Sequence, residues 1–258
     1  MRDEAIRNLS AEIQQVLQEY NNGQSTHPCG RGSWHKIAYL NMTDPLHECP
    51  SPWQEHNADG VRTCGRPRSI NHINPSCASV MFSTSNTEYR QVCGRAIGYQ
   101  VGHTQAFGFG SRYSIDSYYM YGISFTHGIP RNHIWTLAAG QSEIGASLGA
   151  GVCIHCDCPC AHPANPERAT PPPFVGDNYY CESGNPMNTV VGNHLYGEDA
   201  LWDGQHCEGQ CCRGGKSPPW FTVTLPNTTT DDIEVRLCIP AVGNIDQVEI
   251  QLLELYIN

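Results

Sequence analysis

Residues 151–162 read GVCIHCDCPCAH, placing Cys153, His155, Cys156, Cys158, Cys160 and His162 within ten positions. Thiols and imidazoles at this density suit two chemistries, tetrahedral zinc or disulfide bonding. Zinc needs four ligands on one tetrahedron, usually supplied as two C-x2-C units or as C-x2-C followed by paired histidines. Only Cys153 and Cys156 have that spacing. Cys158-Pro159-Cys160 and the adjacent Cys211-Cys212 turn neighbouring sulfurs toward different partners. The fourteen cysteines stand at Cys29, Cys49, Cys64, Cys77, Cys93, Cys153, Cys156, Cys158, Cys160, Cys181, Cys207, Cys211, Cys212 and Cys238. Spread through a turn-rich chain, they predict a disulfide framework at all fourteen, seven bridges if pairing is complete. Zinc at 153–162 is the lesser alternative, and the pairing stays open.

Other groups could also do chemistry. Gly145-Ala146-Ser147-Leu148-Gly149 matches the G-x-S-x-G nucleophile elbow of hydrolases. That elbow needs a strand before it and a helix after it, whereas AAGQSEIGASLGAG reads as a small-residue loop. His127 and His133 flank a Gly128–Pro130 turn beside Trp135, where two imidazoles could bind a metal or polarise a substrate. Asp116, Tyr118, Tyr119 and Tyr121 share one predicted strand. Rings beside a carboxylate suit a sugar-binding face, although core aromatics make the same pattern. The speculative ligand-binding set is therefore Asp116, Tyr118, His127, His133 and Trp135. Asp203, Asp231 and Asp232 are loop carboxylates that could ligate calcium through oxygen, or could simply form Asx turns. No cofactor is required by this reading, and calcium is the one considered. Sequons occur at Asn8, Asn41 and Asn227, with Asn41 and Asn227 the glycosylation candidates.

Bulk composition bounds the setting. The chain has 258 residues and a formal net charge of −10, which disfavours a nucleic-acid partner. Charged residues make up 16%, against about 25% in ordinary soluble domains. Lysine occurs only at Lys36 and Lys216. No apolar run reaches the length of about 18 residues that a spanning helix needs. MRDEAIRNLS carries charge where a signal peptide would be apolar, so the reading is either a cytosolic chain or a mature segment. Cysteine usage and turn content favour secretion to an extracellular setting.

These groups must be positioned by a few elements. Residues 3–20 predict a helix with a seam of Ile6, Leu9, Ile13, Val16 and Tyr20, spaced 3, 4, 3, 4. It reads as a short helix on its own domain or as a neck joining identical heads. The neck is preferred because the polar hinge NNGQSTHP follows. The domains are then 1–23, the oligomerising helix, and 24–258, the cysteine-rich body, with a homotrimer favoured. After residue 28, SWHKIAYLNM, SCASVMFST, SYYMYGISFTH, HIWTLAAG, WFTVTLP, IEVRLCI and VEIQLLELYI read as short strands between turn clusters. Phe221, Val223 and Leu225 alternate with threonines, and Ile233, Val235 and Leu237 alternate with Glu234 and Arg236, as half-buried antiparallel strands do. The expected fold is mainly β: an antiparallel β-sandwich of jelly-roll type with the N-terminal helix. Residues 153–220 are expected to be a disulfide-stapled loop excursion packed over it.

The strings GSWHKIAYLNMTDPLHECPSPW, SCASVMFSTSNTEYRQVCGRAIGYQVG, IDSYYMYGISFTHGIPRNHIWTLAAG, CPC, DALWDGQHC and PPWFTVTLPNTTTDDIEVRLCI carry a resemblance. Over about residues 30–258 the chain resembles a family of cysteine-rich extracellular domains of marine invertebrates (sponges, cnidarians and molluscs). The resemblance implies an extracellular module with several disulfides, and it brings no catalytic residues. The resulting expectation is a secreted structural or adhesive protein acting as an oligomer of heads, with itself, extracellular matrix or glycans as partners. A soluble multivalent lectin is the alternative, and a secreted hydrolase is less favoured.

Overall fold

Apolar alternation turns one face of each strand inward, and the chain satisfies it with two sheets over a shared core. The computed structural model describes residues 27–58, 60–67, 76–101, 114–116, 122–141, 171–184, 220–239 and 247–258. The expected helix and its seam, Ile6 to Tyr20, lie outside these residues, as do Ser147 and GVCIHCDCPCAH. Among the described residues there is no helix, and hence none long and apolar enough to cross a membrane. The chain divides into two units, Met1–Ser33 and Trp34–Asn258, and both sheets belong to the second.

Eleven strands are described: β1 (His35–Asn41), β2 (Gln54–Ala58), β3 (Val61–Gly65), β4 (Ser76–Phe82), β5 (Tyr89–Val101), β6 (Gly122–His127), β7 (Asn132–Gln141), β8 (Tyr179–Gly184), β9 (Phe221–Thr229), β10 (Ile233–Ile239) and β11 (Gln247–Ile257). The six-stranded sheet runs β2-β3-β11-β5-β9, with β1 also paired to β11. β1 takes Leu252 to Ile257 of β11, and β3 takes Glu249 and Ile250. The five-stranded sheet runs β4-β10-β6-β7-β8. Among the described strands every pairing is antiparallel except β7 with β8. The mainly β, antiparallel architecture expected from the alternation is therefore present.

The core lies between the sheets. Trp135 of β7 stacks on Phe221 of β9 with ring centres 4.4 Å apart, and Phe125 of β6 meets Phe221 at 5.2 Å. Ile123, Leu137, Val235, Leu237, Leu253, Leu255 and Ile257 are buried around them. Trp53 is buried too, and its indole N–H donates to the Ala78 carbonyl at 3.1 Å.

Disulfides brace this body. Cys77 and Cys238 face each other across β4 and β10, 4.1 Å apart at Cα and 161 residues apart in sequence. Cys49 bonds to Cys64 of β3 across 15 residues. Cys93 also takes part in a disulfide, and so does Cys29 of the first unit. Cys153, Cys156, Cys158, Cys160, Cys207, Cys211 and Cys212, and the side chain of Cys181, lie outside the described residues. Of the expected excursion, residues 171–178 form turns that lead into β8. There Val175 is fully buried, and the Asn178 carbonyl accepts from the Thr136 N–H at 3.2 Å.

Candidate contact site at the loop end

Three turns meet at one end of the body: 83–88 after β4, 128–131 between β6 and β7, and 230–232 between β9 and β10. The third is the hub. Asp232 Oδ1 accepts from the Thr84 N–H at 2.9 Å, and the Thr230 carbonyl accepts from the Thr84 hydroxyl at 2.8 Å. Asp231 Oδ2 lies 2.9 Å from His127 Nδ1, and the Asp231 carbonyl accepts from the Tyr89 hydroxyl at 2.8 Å. Two neighbouring aspartates thus hold two different turns.

Local chemistry explains the turns. Gly128 has φ +75°, and a Cβ there would come 2.8 Å from Asp231 Oδ2, so this position needs glycine on both counts. Ser85 and Asn86 both adopt left-handed φ, 55° and 58°, and the Thr87 N–H closes the turn onto the Thr84 carbonyl at 3.0 Å. Asparagine accepts this region readily, whereas serine is less at ease in it. At the apex of the β6–β7 turn, Ile129 is wholly exposed.

Electrostatics stiffen the same end. Arg131 grips Glu234 of β10 with two hydrogen bonds, Nε to Oε2 at 2.5 Å and Nη2 to Oε1 at 3.2 Å. Its Nη1 lies 3.4 Å from Asp116 Oδ1. Burial alone would raise the Glu234 carboxyl, but hydrogen bonds from Arg131 and Ser79 and the charges of Arg131 and Arg236 hold it below the usual range. The hydrogen bonds from His127 and Thr229 hold Asp231 low as well. Burial, with the Asp231 and Asp232 charges, pushes the Tyr89 phenol well above its usual range.

The structure therefore brings Asp116, His127, Asp231 and Asp232 to one connected end. It does not bring Trp135, which is stacked in the core. His133 turns to the 171–178 segment: its Nε2 lies 2.9 Å from Thr136 Oγ1, and its ring meets Phe174 edge-on. Burial pushes His133 down to about 3, so it is neutral at physiological pH. Tyr118 and Asp203 lie outside the described residues. No group of three or more His, Cys, Asp or Glu side chains arranged to hold a metal occurs among the described residues. Asn227 is exposed on β9, whereas Asn41 is half-buried with its side-chain oxygen accepting from Thr43 Oγ1 at 2.8 Å.

One polar cluster escapes sequence reasoning. His56 of β2, Thr63 of β3 and Glu249 of β11 are buried together. The Glu249 carboxylate bonds His56 Nδ1 through Oε1 and accepts from the Thr63 hydroxyl at 2.5 Å through Oε2. Gly65 makes room for it, since a Cβ there would come 2.7 Å from the His56 ring. His56 and Glu249 are 193 positions apart, and nothing local marks either one.

Comparison of the chain with family models, with curated proteins and with solved structures finds no match.

Proposed function

We propose that the chain is a secreted, disulfide-braced β-sandwich of jelly-roll type that works by adhesion, displayed as an oligomer through its N-terminal helix. The resemblance to cysteine-rich extracellular domains of marine invertebrates belongs to the same reading. One observation carries it: Ile129 is wholly exposed at the apex of a turn held by His127–Asp231 on one side and Arg131–Glu234 on the other. An exposed aliphatic side chain on a preorganised loop loses little conformational entropy when a partner covers it. Disulfides closing 15 and 161 residues fit an oxidising, extracellular setting. Several weak heads on one oligomer would bind a matrix far more tightly than one head.

The test is attachment of beads coated with the protein to an extracellular-matrix surface, comparing the native chain with Ile129→Asp. Attachment lost in the variant, at unchanged circular dichroism, supports the loop end as the contact. Equal attachment of both overturns the loop-end assignment, and no attachment of either overturns adhesion. Native mass spectrometry of the intact chain tests the trimer, with a monomer as the contrary result.

A further inference from the structure

The outer face of the six-stranded sheet carries a second arrangement that shares no residue with the loop end. β1 presents Lys36 and Tyr39, both exposed, while its Ala38 and Leu40 are buried. Strand register sets Lys36 beside Tyr256 of β11, and Tyr39 of β1 and Arg95 of β5 on either side of Glu254. Trp220, just before β9, completes the row. Lys36 Nζ lies 4.9 Å from the centre of the Tyr39 ring and 5.9 Å from that of Tyr256. The Arg95 guanidinium lies 4.9 Å from the Trp220 ring, which is 6.1 Å from the Tyr256 ring. Three strands and the residue leading into β9 thus build one aromatic platform holding two cations.

Its charge runs against the rest of the molecule. The chain carries −10 and only two lysines, yet here, among the described residues, two cations face the one carboxylate of Glu254. Lys36 has no carboxylate partner among the described residues. Arg95 reaches Glu254 only at 3.5 Å, and its buried Nε has no hydrogen-bond partner among the described residues. Cation–π contacts hold both cations in place while leaving the exposed Lys36 ammonium, and the exposed part of the Arg95 guanidinium, for a ligand.

Each part has its counterpart in one chemical class. A pyranose offers an apolar C–H face to an exposed tyrosine ring, and its hydroxyls can donate to a carboxylate. An acidic substituent would take charge-assisted hydrogen bonds from Lys36 and Arg95. A plain acidic peptide would use the cations but has no pyranose face for the rings and no sugar hydroxyls for the Glu254 carboxylate. We propose that this platform binds an acidic sugar residue, a pyranose ring bearing a carboxylate. The adhesive reading of the loop end does not enter into it.

The test is surface plasmon resonance of the full chain over immobilised polygalacturonate, its methyl ester, dextran and polyglutamate. The expected result is binding to polygalacturonate alone. Lys36→Gln and Tyr39→Ser, both exposed positions, should each weaken it about tenfold at unchanged melting temperature. Ile129→Asp should bind polygalacturonate as the native chain does, which separates this site from the loop end. Absent binding, undiminished binding to the ester, equal binding to polyglutamate, or native affinity in both platform variants would each overturn the proposal.

Discussion

Glu249 is the place to perturb the fold. It is 1% exposed, and His56, which bonds it, is 7% exposed. Glu249→Ala removes the acceptor from the His56 Nδ1–H and the Thr63 hydroxyl. Each buried donor deprived of its acceptor costs about 1–3 kcal/mol. A loss of about 4 kcal/mol is therefore expected for the two donors together. In a domain of this size each kcal/mol moves Tm by about 2–4 °C, so Tm should fall by roughly 10 °C. Glu249→Gln keeps one acceptor oxygen and should lose roughly half as much. The assay is denaturant unfolding with disulfides intact, run as a cycle of His56→Ala, Glu249→Ala and the double variant. Coupling of about 2 kcal/mol is expected, whereas single losses that add to within about 0.5 kcal/mol would refute a shared network.

Three further outcomes follow from particular residues. Ser85 sits at φ 55° without need of its side chain for that conformation, so Ser85→Gly should stabilise the protein by about 1 kcal/mol; a loss in chemical denaturation would contradict this. His133, depressed from 6.5 to about 3, takes up no proton in the folded state at pH values where the unfolded chain does. Its contribution is thus complete above the unfolded value and is lost as pH falls from about 6.5 toward 3, and an NMR titration midpoint above about 5 would defeat the reasoning. Removing the Cys77–Cys238 bridge, which closes 161 residues, should cost about 5 kcal/mol, against about 3 for the 15-residue Cys49–Cys64 loop. The opposite ranking by calorimetry of the two double-serine variants would count against a chain-entropy origin.

Much of the strand content was readable in sequence. The runs around β1, β4, β7, β9, β10 and β11 follow from β-branched and aromatic residues between turn clusters, and SYYMYGISFTH contains β6. β5, the longest strand, was not. YRQVCGRAIGYQV is broken by Gly94 and Gly98 and carries arginines, which suppress a strand signal. Gly94 is there because a Cβ would come 2.5 Å from the Glu254 carbonyl, a reason that exists only once β11 lies alongside. β2 and β3 are short and polar, and β8 falls inside what reads as an irregular excursion. At the site, Asp231 and Asp232 stand out as loop carboxylates, but their partners His127 and Thr84 lie 104 and 148 positions away. Trp135 shows the converse: a ring beside two histidines suggests a binding face, and burial against Phe221 places it in the core.

The sequence by itself determined the β character, the turn-rich layout and the use of cysteine for bridging. Those properties arise from residues a few positions apart, where side-chain alternation and turn chemistry act. Tertiary structure alone decided that Cys77 faces Cys238, that His56 meets Glu249, and that Lys36, Tyr39, Arg95 and Tyr256 share one outer face. These follow from strand order and register, which are set when both sheets bury their apolar faces together, and no short stretch of chain contains that information.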